Sequence, residues 1–113
     1  MNSVLIGEHT RIEDWVSIST LNWIKNNNTI AEVDIGDKVI INEGSSLISC
    51  TIKDGCIIGS NCVISEGCII GENSIITNNS VVPPNTIIPD KTIYGGNPLK
   101  FIKNTNKADI INM

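Results

Sequence analysis

The chain has 113 residues, the size of one domain, and a formal net charge of −4 from eight Lys plus Arg and twelve Asp plus Glu. That balance excludes a nucleic-acid groove or an anionic membrane as the expected partner. No apolar stretch approaches the about 18 residues of a membrane span, and a cytoplasmic chain is expected.

In chain order, six-residue units begin almost at once. They are Ile6–Arg11 (IGEHTR), Ile12–Ser17 (IEDWVS) and Ile18–Trp23 (ISTLNW). Residues 24–34, IKNNNTIAEVD, break the count and are predicted to loop out from one corner, with NNN as the turn signal. Counting resumes with Ile35–Ile40 (IGDKVI) and Ile41–Ser46 (INEGSS). Leu47–Thr51 (LISCT) has one residue fewer and resets the frame. Gapless units then run from Ile52 to Leu99. Their first places hold Ile52, Ile58, Ile64, Ile70, Ile76, Val82, Ile88 and Tyr94. Their fourth places are Gly or Asn except at Lys91, and their fifth places hold Cys, Ser or Thr until Pro98. The repeat domain is expected to span 1–103, the chain leaving it at Phe101–Ile102. A polar tail follows at 104–113, where a helical turn at Asn106–Ile111 would be too short to stand alone.

A fixed short period implies a solenoid, not a packed globule. Alternation along an extended strand puts the first and fifth places on one face, the interior. The fourth place is a corner, because Gly and Asn tolerate a positive φ that costs other residues roughly 1–2 kcal/mol. Three units close a triangular coil, and coils stack about 4.8 Å apart. The expectation is an all-β, single-stranded β-helix of about four to five coils. Its inner stacks would be Ile52–Ile70–Ile88, Ile58–Ile76–Tyr94 and Ile64–Val82. Cys50, Cys56, Cys62 and Cys68 lie six apart, which is no zinc spacing, and are expected as small buried apolar residues without disulfides.

Sixth places are apolar too and would face outward, giving greasy walls suited to another subunit. Candidate partner-binding residues are therefore Ile57, Ile75 and Ile93 on a wall, Trp15 at a corner, Trp23 at a wall position, Ile24 at the start of the loop, and Phe101 at the exit. Packing of both Trp residues beneath the 24–34 loop is the alternative. The first coil lacks a cap in the sequence, so a partner or a further segment is expected to cover it.

Three resemblances bear on chemistry. GGNPLKFIK at 95–103 resembles the GNPAK-type ending of hexapeptide acetyltransferases. This implies the left-handed form of the helix, although crossovers between parallel strands are otherwise right-handed. Those enzymes use a His general base before an IGD-type repeat; the matching region, Ile18–Asp34, has none. The one His, His9, falls at the first corner. Residues 35–100 also resemble γ-class carbonic anhydrases, with CTI at 50–52 and VVPPNTIIPDKTIYGGNPLK at 81–100. That family's three zinc-binding His positions carry over to Ser19, Glu43 and Ile48, which do not make a catalytic zinc site.

The fullest resemblance, over Ile6–Phe101, is to the dynactin subunit 5 family. It rests on IGEH at 6–9, the loop before IGD at 35–37, NCVI at 61–64 and NNSVVPPNTIIPDKTIYGG at 78–96. It implies a non-catalytic structural subunit of a pointed-end complex, without cofactor or metal. The implied partners are a second β-helical dynactin subunit and the actin-related pointed end, in cytoplasmic, cytoskeleton-associated, dynein-dependent transport. The enzyme-class alternative is a hexapeptide acyltransferase or γ-carbonic-anhydrase-like protein with relocated groups, His9 among them.

Overall fold

The computed structural model describes residues 4–20 and 33–105, and all of its described regular structure is β. The first coil holds β1 (Val4–Ile6), β2 (Arg11–Ile12) and β3 (Ser17–Ser19). The second holds β4 (Val33–Ile35), β5 (Ile40–Ile41) and β6 (Ser46–Ile48), and the third β7 (Thr51–Ile52), β8 (Ile57–Ile58) and β9 (Val63–Ile64). The fourth holds β10 (Ile69–Ile70), β11 (Ile75–Ile76) and β12 (Val81–Val82). Last come β13 (Ile87–Ile88), β14 (Thr92–Gly95) and β15 (Lys100–Asn104).

Every third strand pairs in parallel, which makes three walls. The first wall is β1-β4-β7-β10-β13, the second β2-β5-β8-β11-β14 with β15 beyond it, and the third β3-β6-β9-β12. Registers place Ile6, Ile35, Ile52, Ile70 and Ile88 in one inner stack. Ile12, Ile41, Ile58, Ile76 and Tyr94 form the second, and Ile18, Leu47, Ile64 and Val82 the third. These are the expected stacks, carried back through the first coil. The central Ile residues are 0–1% exposed, and each such burial contributes about 1.5–3 kcal/mol.

The corners also fall where the period puts them. Positive φ is found at His9, Trp15, Lys38, Gly44, Ser49 and every fourth place from Gly55 to Lys91. Ser49 is the corner of the five-residue turn, and the shortened unit still places Cys50 inside and Ile52 above Ile35.

Two boundaries differ from expectation. Val33 and Asp34, assigned to the loop, belong to β4; Val33 pairs with Val4 and is fully buried. They occupy the fifth and sixth places ahead of Ile35, as Val39 and Ile40 do ahead of Ile41. The rest of the predicted loop, 24–32, lies outside the described residues, as do Trp23, Ile24 and the turn expected at Asn106–Ile111.

At the other end, the chain leaves the triangular path at Gly95–Gly96, not after Leu99. Gly96 takes φ 96°, the predicted corner Asn97 has no positive φ, and β15 runs back antiparallel to β14. Glycine at 96 permits this reversal, which a side chain there would strain. The Phe101 ring meets Tyr94 edge-on at 5.5 Å, and Thr105 donates its N–H to Lys91 O and its hydroxyl to Asn73 O. The expected boundary at 103 therefore falls inside β15.

Candidate interaction surface

The polar groups of the interior are paired with one another among the described residues. Fifth-place donors reach second-place carbonyls of the coil above. Ser45 Oγ donates to Gly59 O at 2.6 Å and Ser74 Oγ to Pro89 O at 2.7 Å. The thiols do likewise: Cys56 Sγ to Gly71 O at 2.9 Å, Cys62 Sγ to Thr77 O at 3.0 Å and Cys68 Sγ to Pro83 O at 2.9 Å. Ser80, Thr86 and Thr92 serve carbonyls of their own units. No buried side-chain nitrogen or oxygen among the described residues lacks a partner. The cysteines are thus more than the small apolar fillers expected, since each of these three thiols also supplies a weak donor.

Burial pushes all four thiols above their ordinary value, Cys50 and Cys56 to about 12, with the stacked Cys68 adding to the shift at Cys50. The folded thiols are therefore expected to resist alkylation at pH 8 and to react only on unfolding, as a thiol-reagent assay with and without denaturant would show. The sign for stability follows. Unfolded thiols ionise near 9.0, whereas folded Cys50 and Cys56 hold their protons to about 12. The unfolded chain then binds fewer protons, so this contribution is intact below pH 9 and lost as pH rises. Denaturant titrations should show stability falling above pH 9 by about 1.4 kcal/mol per pH unit for each such thiol.

The positions carried over from the zinc enzymes do not assemble a metal site. Ser19 and Ile48 pair across β3 and β6, while Glu43 is an exposed residue beside the Gly44 corner. Among the described residues, no three His, Cys, Asp or Glu side chains converge on a common point. His9 stands exposed at its corner with φ 58°.

The outer faces of the three walls differ. Arg11, Ile40, Ile57, Ile75 and Ile93 follow one another up the second wall in register. Ile57, Ile75 and Ile93 are only 5%, 4% and 7% exposed, so the expectation of three solvent-facing partner residues is corrected. In-register stacking makes each cover the next, and Ile40 extends the row. Ile102 lies over the same outer face, its Cδ1 3.1 Å from where a Gly95 Cβ would be. The third wall presents Ser17, Ser46, Val63 and Val81, a small-residue face.

Two aromatic side chains do project. Trp15 is 86% exposed at a corner with φ 64°, and Phe101 is 53% exposed on β15. The period revealed Trp15 and the positive φ of its corner, and the exit revealed Phe101.

The model of the dynactin subunit 5 family matches residues 1–110. The chain belongs to the dynactin subunit 5 family. No curated protein matches it. Among solved structures it is similar to a hexapeptide transferase family protein from Anaplasma phagocytophilum, with 21% identity and a TM-score of 0.83 over 95% of this chain. It spans 58% of the length of that protein. A hexapeptide-repeat-containing acetyltransferase from Vibrio cholerae has 25% identity and a TM-score of 0.77, over 94% of this chain and 68% of its own. An N-acyltransferase from Bacillus cereus, solved with dTDP and coenzyme A, has 17% identity and a TM-score of 0.81, over 98% and 68%. These likenesses show the shared fold, the left-handed β-helix of hexapeptide-repeat proteins. Among the described residues of this dynactin subunit 5 family member, no helix is long and apolar enough to cross a membrane.

Proposed function

We propose that this dynactin subunit 5 family member is a non-catalytic structural subunit of a dynactin-type pointed-end complex. It acts through protein contacts in dynein-dependent transport, in the cytoplasm and associated with the cytoskeleton. Its partners on this reading are a second β-helical dynactin subunit and the actin-related pointed end. The observation that carries the reading is the family match over nearly the whole chain. The residue types at Ser19, Glu43 and Ile48 support it, because none supplies an imidazole where the related enzymes need one.

Purification of the tagged chain from its own cells, followed by mass spectrometry, tests this. Recovery of a second β-helical protein with an actin-related protein is expected. A symmetric homotrimer that binds coenzyme A or zinc would overturn it in favour of an enzyme.

On this reading the contact residues are Trp15, Phe101, Trp23 and Ile24. Trp15 carries the argument. A side chain with a Cβ at positive φ costs the fold about 1 kcal/mol, and an exposed indole returns little of that within the chain. Exposed Trp is a common interface anchor. Trp15→Gly is therefore expected to raise thermal stability slightly, by up to about 1 kcal/mol, while weakening capture of the partners by about tenfold or more. A melt paired with quantitative co-purification reads both, and unchanged capture would remove Trp15 from the interface.

A further inference from the structure

We draw no further inference here: the strongest candidate, the N-terminal end of the β-helix, where Val4, Leu5 and Ile6 are 43%, 54% and 49% exposed on the outer edge of the first wall among the described strands, carries nothing because nothing in the structure shows what covers it.

Discussion

Ile64→Asp is expected to abolish the cooperative thermal transition at neutral pH. Ile64 is fully buried in the third inner stack, held between Leu47 below and Val82 above. A carboxylate there would have no cationic partner and no water, because the surrounding stack is aliphatic. Proteins resolve such a conflict by raising the acid's pKa or by unfolding. An uncompensated buried charge costs about 3–5 kcal/mol, and the lost aliphatic packing adds to it. That sum is comparable with the whole stability of a small domain, about 5–15 kcal/mol. Circular dichroism melts should show a broad, non-cooperative change. Partial recovery near pH 5 is expected, as the neutral acid is cheaper to bury. The control is Ile87→Asp. Ile87 neighbours a fully inward residue, Ile88, yet is 69% exposed itself. Its substitution should change stability by no more than about 0.5 kcal/mol. If both variants melted alike, the assignment of inward and outward places would be wrong.

Gly71→Ala should produce the second-largest loss. The glycine sits in the second place, where the coil above descends onto it. A Cβ there would lie 2.6 Å from Asp90 N and 2.7 Å from Ile88 O. Both are backbone atoms fixed by the ladder, since Gly71 N–H donates to Ile88 O at 2.9 Å. The Asp90 carboxylate also crosses this spot to accept the Glu72 N–H at 2.8 Å. Even with the Asp90 side chain swung aside the two backbone atoms remain, so adjacent coils must separate. Overpacking of this kind costs about 1–3 kcal/mol. In a domain of this size that lowers Tm by roughly 4–8 °C per kcal/mol. A melt within a degree of the parent would mean that the coils are less closely spaced than described.

The period of six made the inner stacks and the corners legible before any coordinates. Both depend on one residue's own geometry: which face an alternating side chain takes, and whether a corner tolerates positive φ. What stayed hidden depends on the coil above. The repeat alone gives no reason for glycine in the second place. In fact Gly36, Gly59 and Gly71 lie beneath an Asp or Asn side chain of the next coil. The mixing of Cys, Ser and Thr in the fifth place looked like a demand for small size alone. Ser45, Cys56 and Ser74 there also donate to a second-place carbonyl, although Val33 and Val39 fill the same place without a donor.

The last unit held a missed signal. Pro98 fills the fifth place of the last unit and has no donor, and the structure leaves the triangular path in that unit. Burial of Ile57, Ile75 and Ile93 was also illegible. Alternation predicts which way a side chain points, but it does not predict what lies across that face. Of the candidate contact residues, Trp15 and Phe101 are exposed whereas Ile57, Ile75 and Ile93 are not.

The reversal of β15 has a consequence for self-assembly. A stack of parallel strands has no built-in stop, and an unprotected last rung can template further copies into fibres. Here the final strand of the second wall runs the opposite way. Pro83, Pro84 and Pro89, all in the last turn of the helix, carry no N–H to offer an incoming chain. This end thus poisons its own polymerisation, and seeding from it would first require β15 to peel away.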